Sequence, residues 1–132
     1  STTVDIAADE SCGTYERALH IIDRGLVPVA VLKPSRLGGL LPTARLIERA
    51  TESGVRVVLS SLIESAIGRS AIAQLAAARP DLAGPHGLAT GAWLADDLAP
   101  TPDRIEGGTL ALRGGVGLGF EPTVSFDGGS LR

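Results

Sequence analysis

The stretch VPVAVLKPS, residues Val27 to Ser35, decides the fold class. Its first six residues form an apolar run rich in valine, and Lys33-Pro34-Ser35 ends that run. A run that is apolar at nearly every position is typical of a strand buried on both faces, as in a parallel sheet covered by helices. Val4 to Ala8, ended by Asp9-Glu10-Ser11, and Val55 to Leu59, ended by Ser60-Ser61, repeat the pattern. The sequence therefore predicts three parallel strands.

A segment with helical spacing of its apolar residues follows each strand. These segments are Tyr15 to Arg24, Leu40 to Ser53 and Ser65 to Ala78. Strands that alternate with helices of this length predict βαβ units with right-handed crossovers, so the fold class is α/β. Gly87-Leu88-Ala89 fits a fourth, very short strand, and Thr90 to Leu98 fits a short helix stopped by Pro100 and Pro102.

Two architectures fit this alternation equally well. One is a four-stranded doubly wound sheet that is complete in itself, and the other is roughly half of a (β/α)₈ barrel of about 250 residues. Residues 1–99 hold the β/α units, whereas residues 100–132 are glycine-rich and predict turns and a hairpin, with Thr109 to Arg113 as a candidate strand.

Composition excludes several classes of protein. The 132 residues suffice for one domain, and a net charge of −3 without a basic stripe argues against nucleic acid as a partner. No apolar run is long enough to span a membrane, and the single cysteine, Cys12, fits a reducing compartment, so we expect a cytoplasmic protein. The sequence lacks methionine, and we expect that Ser1 is not the start of a natural reading frame.

Candidate site residues lie where the strands end, because in both architectures the chemistry gathers there. Asp9 is a candidate ligand for a hard cation such as Mg²⁺, which prefers carboxylate oxygens. Lys33, the candidate catalytic residue, would bring a positively charged ammonium group to the same edge of the sheet. Candidate substrate-binding residues are Ser60 and Gly87, and Glu10, Ser61 and Glu64 are candidates for supporting the others.

Each candidate also has a purely structural interpretation. Asp9 fits the cap of the first helix, and Glu64 fits a favourable interaction with the dipole of the third helix. Lys33 fits a solvated residue at the end of a strand. However, eleven of the twelve basic residues are arginine, so a position that keeps lysine suggests a need for a compact or titratable amine.

Four phrases in this order carry a resemblance to a known family. They are Ile6-Ala7-Ala8-Asp9-Glu10-Ser11, Val31-Leu32-Lys33-Pro34 with Gly38-Gly39, Ser60-Ser61-Leu62-Ile63-Glu64-Ser65 with Gly68, and Gly87-Leu88-Ala89-Thr90. Together they closely resemble the C-terminal part of the o-succinylbenzoate synthases, in the muconate-lactonizing subgroup of the enolase superfamily. The match runs from about Val4 to Leu98.

The resemblance implies a TIM-type barrel with a separate capping domain, to which the glycine-rich tail would return. It implies Mg²⁺ as cofactor, a small carboxylate as substrate, and removal of the proton next to the carboxylate. Asp9 resembles the third metal ligand, and Lys33 resembles the lysine that stabilises the enediolate. Ser60 and Gly87 resemble positions that hold the succinyl end of the substrate.

One departure from the family pattern limits this expectation. The family's Lys-x-Lys motif and its first two metal ligands would lie before Val4, and Lys33 is the only lysine in the chain. We therefore expect the chain to act with a missing N-terminal half as its partner. Alternatives are an N-succinylamino acid racemase or a muconate-type cycloisomerase of the same superfamily, or a non-catalytic doubly wound domain.

Overall fold

A computed structural model describes residues 3–82, 84–101 and 103–123 of the protein. It contains the three predicted β/α units, followed by a short hairpin. The helix bounds lie within a residue of those expected, whereas the strands begin one to three residues later than expected. The elements are β1 (Ala7–Ala8), α1 (Tyr15–Asp23), β2 (Val29–Leu32), α2 (Leu40–Glu52), β3 (Arg56–Leu59), α3 (Ala66–Ala77), β4 (Ile105–Glu106) and β5 (Thr109–Leu110).

The sheet order distinguishes the two architectures. Strands β1, β2 and β3 are parallel and lie side by side in chain order, with Ala8 opposite Ala30 and Ala30 opposite Val57. A parallel bridge between Ser60 and Gly87 continues this order to a fourth position. A doubly wound sheet reverses its order at a switch point, whereas a barrel adds each strand beside the previous one. The order therefore matches a barrel segment and excludes the doubly wound alternative.

The helices pack on one face of the sheet. Ala30 and Leu32 of β2 are fully buried, in one core cluster with residues of all three helices, among them Ile22, Leu46 and Ile72. Alternate residues of a strand point to opposite faces. Val31 of β2 accordingly lies on the other face, where it is only half-buried. This second face corresponds to the interior of a closed barrel.

The caps of the helices correct one expectation. Asp9 does not cap α1, which begins after Thr14, whose hydroxyl accepts a hydrogen bond from Arg17 N at 3.3 Å. Asp9 instead precedes a 3₁₀ turn at Glu10–Cys12 and makes no capping bond there. The N-terminus of α3 is capped from a distance, because Ala66 N donates to Asp97 Oδ1 at 2.7 Å. A structural interpretation of Asp9 as a helix cap is therefore wrong.

Between residues 87 and 98 the predicted strand and helix are both shorter than expected. The expected fourth strand reduces to the Ser60–Gly87 bridge, and the expected helix over Thr90 to Leu98 is a 3₁₀ turn at Ala89–Trp93. Gly91 lowers helix propensity in this stretch, and acidic residues near its end oppose the helix dipole.

The hairpin that was expected in the tail is present, although its second strand spans only Thr109–Leu110 instead of Thr109 to Arg113. Gly107 and Gly108 form its turn with positive φ angles of 57° and 79°, which suit a tight hairpin. The described tail also contacts α3, where Gln74 Nε2 donates to the Gly117 carbonyl at 2.8 Å. Residues 124–132, within the segment expected to reach a capping domain, lie outside the described residues.

Across the described ranges, the protein has no helix that is both long and apolar enough to cross a bilayer.

Candidate active site

Asp9 and Lys33 meet at the C-terminal ends of β1 and β2. Lys33 Nζ lies 2.6 Å from Asp9 Oδ1, and the side chains are 19% and 38% exposed for Lys33 and Asp9, respectively. This carboxylate oxygen is itself buried, and within the described part of the chain it has no hydrogen-bond donor besides Lys33. The ammonium group therefore balances its charge through an ion pair.

Ser60 and Gly87 meet at the next two positions of the same sheet edge. Ser60 N donates to the carbonyl of Leu32, the residue before Lys33, at 3.0 Å, and Ser60 Oγ lies 3.3 Å from the Gly87 carbonyl. A Cβ atom at Gly87 would lie only 2.8 Å from Ser60 Oγ. Glycine is thus required for this close approach, and the two residues predicted to bind substrate are neighbours.

Ser61 is buried next to Ser60 and contacts the backbone of Gly87. It is 5% exposed, and its hydroxyl contacts the Gly87 carbonyl at 3.2 Å and Thr90 Oγ1 at 2.9 Å. Thr90 Oγ1 also donates to the Leu62 carbonyl at 2.8 Å. Sequence reasoning placed Thr90 only at the start of a helix. The sequence feature that could have indicated these contacts is the position of Thr90 directly after the predicted fourth strand, Gly87-Leu88-Ala89.

Glu64 directly precedes Ser65, the N-cap residue of α3, and its carboxylate lies beside Gly68 in the first turn, as the dipole interpretation expects. Its carboxylate accepts a hydrogen bond from Leu62 N at 2.9 Å and another from Ser35 Oγ at 2.7 Å. It therefore joins the loop after β3 to the loop after β2. Glu10, the other candidate supporting acid, is exposed in the 3₁₀ turn after Asp9.

Sequence reasoning missed Arg69, which is the centre of a buried polar network. Arg69 is 2% exposed, and its guanidinium forms ion pairs with Asp97 at 2.7 Å and Asp103 at 2.6 Å. Burial alone would lower the pKa of Arg69, but hydrogen bonds to the two carboxylates outweigh it and raise that pKa. The available signal was an arginine on the buried side of an alanine-rich helix.

Two further polar groups are explained by packing. His86 Nδ1 accepts a hydrogen bond from Leu59 N at 3.2 Å, and burial lowers the pKa of its imidazole. Cys12 is 3% exposed, and burial, with the nearby Asp9 charge, raises the pKa of its thiol. A thiol that stays protonated is a poor nucleophile.

The described residues offer one candidate ligand for Mg²⁺, which is fewer than a complete magnesium site needs. The buried Asp9 Oδ1, which is paired with Lys33, is the type of ligand that Mg²⁺ prefers. No group of three or more His, Cys, Asp or Glu side chains comes together in the described ranges. Asp9 as a metal ligand therefore stays a prediction.

Comparison with known proteins identifies the family. Residues 1–125 match the family described as "Enolase C-terminal domain-like". The chain belongs to the enolase C-terminal domain-like family. Membership agrees with the resemblance found in the sequence and with the ordered parallel sheet.

Curated relatives of this enolase-type domain include o-succinylbenzoate synthases. The protein of that name from Thermobifida fusca is 40% identical over 111 residues, which cover 84% of this chain and 34% of the relative. The one from Mycobacterium ulcerans is 38% identical over 104 residues, which cover 79% and 31%. The chain thus spans about a third of the length of these relatives.

Solved structures of muconate enzymes share the fold of this enolase-type domain. Muconate cycloisomerase from Pseudomonas fluorescens superposes with a TM-score of 0.84 at 26% identity, covering 92% of this chain and 34% of that one. Muconate lactonizing enzyme from Pseudomonas putida gives 0.83 at 24% identity, covering 92% and 34%.

Proposed function

We propose that this chain is the C-terminal barrel segment of an o-succinylbenzoate synthase. Such an enzyme removes water from a succinyl-hydroxycyclohexadiene carboxylate to give o-succinylbenzoate, a step towards menaquinone. The observation that carries the proposal is the contact of Asp9 with Lys33 at 2.6 Å on adjacent strand ends. The curated relatives at 38–40% identity support this reaction over that of the muconate enzymes.

In this proposal Lys33 stabilises charge and Asp9 supplies one metal ligand. When the proton next to the substrate carboxylate leaves, negative charge spreads over the carboxylate oxygens as an enediolate forms. A fixed ammonium group in a dry barrel mouth stabilises that charge, because the donor is already oriented before the reaction. Asp9 would help to hold Mg²⁺, which would supply Lewis-acid stabilisation of the developing charge. Hydroxide then leaves the ring and, with the proton, accounts for one molecule of water.

Ser60 and Gly87 hold the succinyl end of the substrate in this proposal. Ser60 presents a hydroxyl at the sheet edge that Asp9 and Lys33 also occupy, and the absence of a side chain at Gly87 leaves the space in which this hydroxyl lies. The base that removes the proton and the other metal ligands would come from a preceding barrel segment, the partner of this chain. The enzyme would work in the cytoplasm.

The test joins the chain to the first two thirds of the Thermobifida fusca relative and measures formation of the aromatic product by ultraviolet absorbance. We expect Mg²⁺-dependent dehydration by the joined protein and none by the chain alone. Asp9→Asn should weaken Mg²⁺ binding, as measured by calorimetry, whereas Asp23→Asn, which changes an exposed acid at the end of α1, should not.

Three results would contradict this proposal. They are turnover by the chain alone, a folded joined protein that does not dehydrate the substrate, and faster racemisation of an N-succinylamino acid than dehydration. The last result would support the racemase alternative.

A further inference from the structure

We infer that Glu64 is a positioning residue that holds the Lys33 loop against the Ser60 loop. This inference rests on the proposed function for its catalytic consequence. The two loops follow adjacent strands, and each carries a residue proposed to touch the substrate. A shared contact between the loops would fix the distance between the charge-stabilising amine and the substrate-binding hydroxyl.

The hydrogen bonds of Glu64 occupy both oxygens of its carboxylate. Oε1 accepts from Leu62 N, two residues after Ser60, and Oε2 accepts from Ser35 Oγ, two residues after Lys33. Bonds to a charged acceptor are stronger than bonds between neutral groups. The carboxylate therefore links both loops at points close to their functional residues and has no role as a free acid in this arrangement.

Gly68 keeps the space that this carboxylate fills. A Cβ atom at Gly68, in the first turns of α3, would collide with Glu64 Oε2 and lie 2.9 Å from its Cδ atom. Glycine costs helix stability relative to alanine, so its use inside α3 has a physical reason in the position of Glu64.

Arg69 fixes the backbone from which Glu64 reaches both loops. Its Nη1 donates to the Glu64 carbonyl at 2.5 Å, while the rest of the guanidinium is held by Asp97 and Asp103. Glu64 is thus restrained at its backbone by a buried ion-pair network and at its side chain by two loops. A residue held in this way can fix the relative position of the two loops.

The catalytic test compares two substitutions of Glu64 in the joined protein. Glu64→Gln keeps an acceptor for Leu62 N and offers an amide donor to Ser35 Oγ, whereas Glu64→Ala removes both links. We expect Glu64→Ala to lower kcat by about tenfold to a hundredfold, because small misplacements of catalytic groups have effects of that size. Glu64→Gln should retain most of the activity. An equal loss in both variants would overturn the inference, because it would indicate that the charge itself is needed.

Ser35→Ala separates positioning from loss of fold. Ser35 is exposed, so its substitution should leave the thermal midpoint and KM nearly unchanged while lowering kcat. Ser53→Ala, which changes an exposed serine at the far end of α2, serves as the matched control and should change none of these. Unchanged kcat in Ser35→Ala would contradict the link between the loops.

A thermal unfolding cycle tests the bridge without any assay of activity. Gly68→Ala should lower the thermal midpoint when Glu64 is present and raise it in the Glu64→Ala background, because alanine then gains helix propensity without a collision. An equal shift in both backgrounds would show that the carboxylate does not lie over Gly68. If the joined protein lacked dehydration activity but this cycle gave the expected change of sign, the proposed function would fail and the bridge would stand.

Discussion

Lys33 carries the only ammonium side chain of the protein, at a position where charge and geometry both matter. In the joined protein we expect Lys33→Arg to lower kcat by about a hundredfold or more, as is typical when a fixed donor to a developing negative charge is lost. The guanidinium is longer and planar, so it cannot occupy the same point beside Asp9. Steady-state kinetics measures the loss, with Arg45→Lys on the exposed face of α2 as the control. Activity near that of the unmodified protein would show that positive charge alone suffices.

His86 predicts a dependence of stability on pH. Burial lowers its pKa below the ordinary value of 6.5, and its Nδ1 accepts the Leu59 N–H, which a protonated ring cannot do. The unfolded chain therefore binds a proton more readily than the folded one. The contribution of His86 is present above pH 6.5 and is lost as the pH falls from 6.5 through the lowered pKa.

Urea unfolding of the protein at a series of pH values checks this prediction. The free energy of unfolding should decrease on acidification through this range, and His86→Asn should flatten the decrease, because the amide oxygen can accept the same bond without titrating. His20→Asn, at an exposed position of α1, is the control and should keep the full decrease. A decrease of the same size in His86→Asn would assign the effect to other groups.

Among individual site residues, the sequence could predict those that directly follow a strand. The residues after each apolar run included Asp9 and Lys33, and parallel strands bring such residues to one edge. The partners of Glu64 could not be predicted, because Ser35 lies 29 residues away and its hydrogen bond depends on the relative height of two loops.

At the scale of elements, α3 and the tail are joined by Arg69. Replacing it with methionine would keep much of the side-chain volume and leave Asp97 and Asp103 without their buried cation. We expect Arg69→Met to cost about 3–5 kcal/mol in the free energy of unfolding, as is typical when one partner of a buried ion pair is removed. Chemical denaturation measures the change.

Arg79→Met is the matched control for that experiment. Arg79 pairs with Asp81 at 2.8 Å, but the two side chains are 23% and 42% exposed. An exposed pair contributes at most about 1 kcal/mol. Similar costs for Arg69→Met and Arg79→Met would contradict a special role for the buried network.

Elements were predictable where the apolar pattern was strong. The three helices were found to within about a residue, because each buries one apolar side against the sheet. The short segments after Gly87 were not, since their conformation depends on distant contacts such as Asp97 with Ala66 and Arg69. Local propensity has little weight in such segments.

For the molecule as a whole, the second face of the sheet predicts a stabilising partner. Val31 and Val58 are only half-buried, and Ile6 beside the β1 edge is 60% exposed. Covering such apolar surface stabilises a protein in proportion to the area buried. The joined protein should therefore unfold at a higher temperature than the chain alone, as measured by circular dichroism. Equal midpoints would mean that this face has no partner in the joined segment.

The pattern of strands and helices could not distinguish a barrel segment from a doubly wound sheet. The two share the alternation of strands and helices and differ only in which strand lies beside which. No local pattern around Gly87 specifies that it pairs with Ser60, so the alternation alone left the architectures equal, and only the resemblance to the o-succinylbenzoate synthases favoured the barrel.

The chain-ordered sheet also has a consequence for how the protein assembles during synthesis. Ala8 pairs with Ala30, Ala30 with Val57, and Ser60 with Gly87, so each strand finds its partner in the unit made just before it. No strand in this sheet must wait for a distant one to leave the ribosome. Growth from the N-terminal side can thus proceed one unit at a time, and each nascent unit leaves an edge that acts as a template for the next.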